Sequence, residues 1–132
     1  MFEKSEDAPR VLVTGGAGYI GSHVLHALSD AGIPAITIDN LSTGRRAAVP
    51  NDVPLIEGDI GSADLLERVM GEHRVDAVMH FAGSIVVPES VEKPFAYYRN
   101  NTVNSLTLAE TCVRMGIDKI VFSSTAAVYG AP

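Results

Sequence analysis

Cysteine is almost absent from this chain, positive charge is in deficit, and no long apolar run interrupts it. The lone Cys112 has no partner for an internal disulfide, and the 4 histidines, at 23, 26, 73 and 80, form no cluster with it at metal-ligand spacing. Neither a disulfide framework nor a structural metal is expected. With 10 basic side chains against 16 acidic ones the net charge is −6, so no global field draws in nucleic acid or an anionic membrane, and neither is an expected partner. No hydrophobic stretch approaches the roughly 20 residues that span a bilayer. The N-terminus, MFEKSEDAP, carries acids and has no apolar h-region. It does not read as a signal peptide, and the cytoplasm is the expected location. What is present is 132 residues, 46% hydrophobic and 20% charged, a balance that suits one domain with a buried core.

The polar residues 1–9 read as a loose tail. Arg10 to Thr14 is short, β-branched and followed by glycines, which suits a buried parallel strand. Ile20, Val24, Ala27, Leu28 and Ala31 recur at helical spacing and predict one apolar face, with Gly32 and Pro34 as the stop. Ala35 to Asp39 reads as a second strand, residues 40–52 as loop with one helical turn, and Pro54 to Glu57 as a third strand. Ser62 caps a predicted helix with apolar Leu65, Leu66, Val69 and Met70. Asp76 to His80 is a fourth strand. A loop holding Pro88 and Pro94 leads to a long helix from Pro94 to about Met115, with Val103, Leu106, Ala109 and Val113 as its expected buried face. Lys119 to Phe122 is a fifth strand. Strands alternating with helices predict an α/β fold, a doubly wound parallel sheet covered on both faces.

The chemistry sits at the carboxyl ends of these strands. Between the first strand and the first helix, Thr14-Gly15-Gly16-Ala17-Gly18-Tyr19-Ile20-Gly21 spaces Gly15, Gly18 and Gly21 as G-x-x-G-x-x-G. Absent Cβ atoms allow a sharp turn and close approach to a pyrophosphate, and the helix start offers unpaired N–H groups and a positive dipole end. A merely flexible turn is the alternative, and the strand-before, helix-after context favours phosphate. Asp39 ends the second strand, 18 residues past Gly21, where a carboxylate can accept from an adenosine ribose. This favours NAD, while Arg45 and Arg46 keep NADP open. Asp39-Asn40 also satisfies turn chemistry. Asp59-Ile60 and Phe81-Ala82-Gly83 follow the third and fourth strands and face the same crevice. Asp59 can accept from an adenine amino group or can start a turn, and the Ala-Gly pair can admit a ligand or pack. Ser123-Ser124-Thr125 places three hydroxyls at the fifth strand's end, able to bond a substrate alcohol or to cap a turn. The G-x-S-x-G of a nucleophile elbow is absent.

VLVTGGAGYIGSH (11–23), Asp39-Asn40-Leu41-Ser42, Glu57-Gly58-Asp59-Ile60, HFAGSIVVPES (80–90), Tyr97-Tyr98 with Asn100-Asn101, and Phe122-Ser123-Ser124-Thr125 through Val128-Tyr129-Gly130 together resemble the extended short-chain dehydrogenase/reductase family. Within it, they look most like the UDP-glucose 4-epimerase branch. The resemblance implies an NAD(P)-binding Rossmann-like domain over residues 10–132, truncated after about the fifth strand, and isomerase chemistry in galactose metabolism. In that chemistry a hydride leaves C4 of a UDP-hexose to NAD and returns to the other face of a 4-keto intermediate. It also implies residue roles. Gly15, Gly18, Tyr19, Ile20 and Gly21 would serve the pyrophosphate, Asp39 and Asn40 the adenosine ribose, and Asp59 and Ile60 the adenine. Phe81, Ala82 and Gly83 would meet the middle of the dinucleotide, and Asn100 and Ser123 its nicotinamide side. Thr125 would be the catalytic hydroxyl for the sugar's 4-hydroxyl proton, and the long helix could contribute to a homodimer. Two departures stand out. No tyrosine here is followed four residues on by lysine, so the family's Tyr-x-x-x-Lys base is missing, as are the sixth strand and the sugar-binding lobe. Ile85 stands where some relatives carry a lysine. The 132-residue chain is therefore expected to be an N-terminal piece without turnover; the alternative is a non-catalytic dinucleotide-binding or regulatory module.

Overall fold

The computed structural model describes residues 8–83, 87–124 and 129–130. Five strands, β1 (Val11–Thr14), β2 (Ala35–Asp39), β3 (Leu55–Glu57), β4 (Ala77–His80) and β5 (Ile120–Phe122), form one parallel sheet in the order β3-β2-β1-β4-β5. Helices α1 (Tyr19–Asp30), α2 (Ala63–Glu72), α3 (Val87–Glu92), α4 (Pro94–Tyr97) and α5 (Asn104–Arg114) connect them. A π-helical stretch, Tyr98–Val103, joins α4 to α5, and one 3-10 turn, Arg46–Ala48, lies in the loop after β2.

The side-chain alternation of β1 explains why the sheet is covered twice. Val11 and Val13 belong to an apolar cluster with Leu25 of α1, Val49 and Val53, whereas Leu12 belongs to the opposite cluster with Leu66, Val69 and Met70 of α2 and Leu108 and Cys112 of α5. Successive strand residues point to opposite faces, so a strand between two helical layers must be apolar throughout. Fully burying each such side chain is worth about 1.5–3 kcal/mol. Ser62 accepts a hydrogen bond from Leu65 N at 3.3 Å and starts α2 as its sequence predicts.

Four expectations need correction. In α1 the fully buried residues are Gly21, Ser22 and Leu25, and Val24 and Leu28 of the expected face pack partly buried against the core, whereas Ile20 and Ala27 are exposed; the close approach of Gly21 to the glycine loop turns Ile20 outward. In α5 the buried residues are Asn104, Leu108, Thr111 and Cys112, while Leu106 and Val113, with Val103 at the end of the preceding π-helical stretch, face out at 57%, 79% and 52% exposure. Thr111 is tolerated inside because its hydroxyl donates to Thr107 O at 2.7 Å. The expected loop before Pro94 holds α3, and the expected continuous helix is widened by the π-helical turns. The three side chains of β5 are all exposed, with Phe122 also meeting the His80 ring.

Candidate functional site

In the order β3-β2-β1-β4-β5, the chain leaves β1 toward β2 on one side and returns as β4 on the other. The crevice of a doubly wound sheet lies at that reversal, outside the carboxyl ends of β1 and β4. The glycine loop, residues 15–18, occupies it. Gly15, at φ 73°, sits so close to the turn after β4 that a Cβ there would meet Ala82 N at 2.8 Å. Gly21 would drive a Cβ into Gly15 O at 2.1 Å, and Gly16 into Thr37 Oγ1 at 2.2 Å. All three glycines are demanded by the protein's own packing.

Gly18 is different. Its φ of −80° suits any residue, and among the described residues a Cβ there would meet only Gly15 O, at an ordinary 3.4 Å. It is also the N-cap of α1, yet α1 has no side-chain cap and no acid in its first turn. A helix start with orphan N–H groups and no acid in its first turn can receive an anion.

Which N–H groups remain for an anion follows from the bonds already made. Gly15 N donates to Ile38 O at 2.9 Å, Gly16 N to Thr37 Oγ1 at 3.0 Å and Ala17 N to Asp39 Oδ2 at 2.9 Å, so three consecutive donors are consumed by β2. Gly18 N donates to Gly15 O at 3.2 Å. The first donors not spent inside the loop are those of Tyr19 and Ile20, whose side chains point outward at 82% and 55% exposure. The Tyr19 ring leans on His23, centroids 4.6 Å apart. Residues able to receive a pyrophosphate are thus present and already held in place.

Asp39 does two things at once. Its Oδ2 holds the glycine loop through Ala17 N, and its Oδ1 accepts from Leu41 N at 2.8 Å, which fixes the turn. Leu41 needs that support, because its φ of 59° is costly for a branched side chain. The turn that competed with ribose binding in the sequence is therefore real, and each carboxylate oxygen still has a second lone pair to offer. Beyond it, Gly44 lies against the Ala17 backbone, Arg45 N donates to Ala17 O, and Arg46 pairs with Glu57 at 3.1 Å.

Asp59 uses Oδ1 to accept from Gly61 N at 2.8 Å and remains exposed, whereas the Ile60 side chain is in the core, which leaves only its backbone for a ligand. Asn104 Nδ2 reaches Asp59 Oδ1 at 3.4 Å and Asn100 Oδ1 at 3.5 Å, so residues assigned to opposite ends of a dinucleotide share one amide. Phe81 and Ala82 lie against Gly15 of the glycine loop, Gly83 follows beside Asn101, and Ser123 joins the same edge through its N–H to His80 O at 3.2 Å. Asn40 accepts from Ser42 N and is exposed. Thr125 and Ile85 lie outside the described residues.

Sequence reasoning missed the polar residues beneath this surface. Thr14 and Thr37 are fully buried strand residues; Thr37 takes the Gly16 N–H and donates to Val13 O at 2.7 Å. Thr14 Oγ1 accepts from Phe81 N at 3.1 Å and Ala82 N at 3.2 Å and faces His80 Nδ1 at 2.5 Å. Burial lowers the pKa of His80 from the ordinary histidine value. The one available signal was a hydroxyl or imidazole inside otherwise apolar strands.

Residues 11–132 match the pattern of the NAD dependent epimerase/dehydratase family. The UDP-glucose 4-epimerase of Azospirillum brasilense is 77% identical over 132 residues, 100% of this chain and 38% of that protein. Its counterpart in Corynebacterium glutamicum is 49% identical over 123 residues, 93% of this chain and 37% of that protein. The crystal structure of UDP-glucose 4-epimerase from Brucella ovis in complex with NAD is similar at TM-score 0.87 and 43% identity, over 95% of this chain and 38% of that one. The chain spans about 38% of the length of such relatives.

Proposed function

The chain belongs to the NAD dependent epimerase/dehydratase family, and from that premise we propose that its 132 residues hold NAD for the interconversion of UDP-glucose and UDP-galactose. Gly18 carries this reading: it is a glycine that neither the backbone angle nor the packing requires, at a helix start with no cap of its own. We assign the pyrophosphate to Tyr19 N and Ile20 N, with Gly15 and Gly21 shaping the loop and Gly18 giving access. Asp39 and Asn40 take the adenosine ribose, Asp59 and the Ile60 backbone the adenine, and Phe81, Ala82 and Gly83 the middle of the dinucleotide. Asn100 and Ser123 stand on the nicotinamide side, and Thr125 is the hydroxyl that relays the proton of the sugar's 4-hydroxyl. NAD, when bound, supplies the acceptor for the hydride at C4 of the sugar, whose return to the opposite face inverts that carbon. On this reading residues 10–132 form one dinucleotide-binding unit, and the location is cytoplasmic, where the unpaired Cys112 stays reduced. A second copy of the chain is the proposed cover for Leu106 and Val113 on α5 and for the adjoining Val103, in keeping with their exposure.

Calorimetry with NAD on the wild-type chain and on Gly18→Ser tests the cofactor site. Serine is a better N-cap than glycine and has room here, so the variant should fold at least as stably while binding NAD at least about tenfold more weakly. Equal affinity refutes the assignment. The sugar chemistry is tested by grafting these 132 residues in place of the matching segment of the Azospirillum brasilense relative. Conversion of UDP-galactose by the chimera supports an enzyme over a regulatory module, and an inert but folded, NAD-loaded chimera refutes it. The 132-residue polypeptide itself is expected to give no sustained turnover, because it contains no Tyr-x-x-x-Lys pair.

A further inference from the structure

His80 ends β4 beside its register partner Thr14, is 3% exposed, and has both ring nitrogens engaged. Its partners assign its protons. Ser105 Oγ donates to Asn101 O at 2.7 Å, so at 2.8 Å from His80 it accepts from Nε2–H. Thr14 Oγ1 already accepts from Phe81 N and Ala82 N, the former shared with Thr14 O, so its own proton goes to His80 Nδ1. Both ends demand the same neutral tautomer.

What hangs on this chain is the surface over the glycine loop. Phe81 and Ala82 are held by the Thr14 hydroxyl, Ala82 lies against Gly15, and Asn101 Oδ1 comes within 3.2 Å of where a Cβ on Gly83 would stand. We propose that His80 is a positioning residue for dinucleotide binding: in its neutral form it orients the Thr14 hydroxyl, which sets the height of Phe81-Ala82-Gly83 above the glycine loop. The inference rests on the reading of this edge as the NAD site. Protonation would place a second N–H, at Nδ1, against a hydroxyl whose acceptor positions are taken, and one donor would have to leave. Among the described residues, the side chains in contact with the ring are Thr14 of β1, Ser105 of α5 and Phe122 of β5, ring centroids 5.8 Å away. None of them is charged, and no ion pair among the described residues involves His80.

The test compares wild type, His80→Asn and His80→Gln. Asparagine places its amide oxygen near the Nδ1 position and cannot take up a proton; glutamine reaches the Nε2 position instead. NAD affinity, measured from pH 4 to pH 8, should fall in wild type as the ring protonates below the ordinary histidine range, and His80→Asn should stay within about threefold of wild type at pH 8 with no such fall at low pH. His80→Gln should bind about tenfold more weakly throughout, the scale of one lost hydrogen bond. Equal weakening by both variants, or a wild-type pH profile in His80→Asn, overturns the proposal. Amide exchange reads the same network without ligand. Protection factors at Phe81 and Ala82 should drop at low pH in wild type and not in His80→Asn, and unchanged protection overturns the proposal. Should the wild-type chain bind no NAD, the cofactor reading fails, and with it the binding role of His80; the exchange result still decides whether the ring holds the loop.

Discussion

Replacing Asp39 by asparagine separates a residue that serves only a ligand from one that also builds the site. Asp39 is 9% exposed, and its carboxylate accepts two backbone N–H bonds from different segments, Ala17 at 2.9 Å and Leu41 at 2.8 Å. Asparagine has nearly the same shape but a single acceptor oxygen, so whichever N–H faces its amide nitrogen meets another donor. Hydrogen bonds to a charged group are worth about 1.5–3 kcal/mol each, and a buried donor left unpaired costs a similar amount. Asp39→Asn should therefore destabilise the ligand-free chain by about 2 kcal/mol, and Asp39→Ala, which removes both acceptors, by about twice that. Urea unfolding measures it: with a slope of about 1–3 kcal/mol per molar, the midpoint should move down by about 1 M for the asparagine variant. NAD affinity should fall as well. If affinity falls while the midpoint moves by less than about 0.2 M, the carboxylate serves the ribose alone, and the claim that it holds the glycine loop is wrong.

Gly15→Ala should be costly even without ligand, by about 3 kcal/mol or more in denaturant unfolding, since φ is positive and the new methyl meets Ala82 backbone at 2.8 Å; stability within 0.5 kcal/mol of wild type, on the scale of about 0.5 for neutral surface changes, would refute the packing argument. Burial lowers the pKa of His80, so the unfolded chain binds the extra proton between the depressed folded value and about 6.5. Stability should accordingly fall as pH drops below about 6.5, by at most about 1.4 kcal/mol per unit from this group, and flatten below the folded pKa. Unfolding midpoints from pH 4 to pH 8 in wild type and His80→Asn check this. Burial raises the pKa of the fully enclosed Cys112 thiol, so iodoacetamide at pH 8 should label the native chain no faster than it unfolds; prompt labelling would contradict the placement of α5.

The sheet was legible because its signals are local. Short β-branched runs alternate with helical spacing, and glycines and Ser62 punctuate them where caps and turns require it. The inward face of α5 was not legible, since Val103, Leu106 and Val113 repeat as regularly as a core stripe does. The true core stripe contains Asn104 and Thr111, which sequence pattern counts as polar although Thr111 satisfies its hydroxyl on its own helix. A proline in the first turn of a helix is tolerated, and both Pro94 in α4 and Pro88 in α3 stand there; two prolines close together in one stretch nevertheless read as loop, which hides α3. The π-helical turns at Tyr98–Val103 leave no residue signature. Within the site, the hydroxyls of Thr14 and Thr37 were hidden because threonine in a strand reads simply as a β-former.

The G-x-x-G-x-x-G spacing conflates two demands that the structure separates. Gly15, Gly16 and Gly21 are required for β1, β2 and α1 to meet at all, and they would be needed whether or not a ligand ever arrived. Gly18 is required by none of these contacts. Because β2 consumes the N–H groups of residues 15–17, the loop is ordered before any anion comes, and little conformational entropy remains to be lost on binding. The donors of Tyr19 and Ile20 then face the crevice from a fixed helix start, next to a position where only a missing side chain keeps the approach open. Affinity for the pyrophosphate should therefore respond to bulk at residue 18 far more than stability does, and at residue 15 the two should fall together.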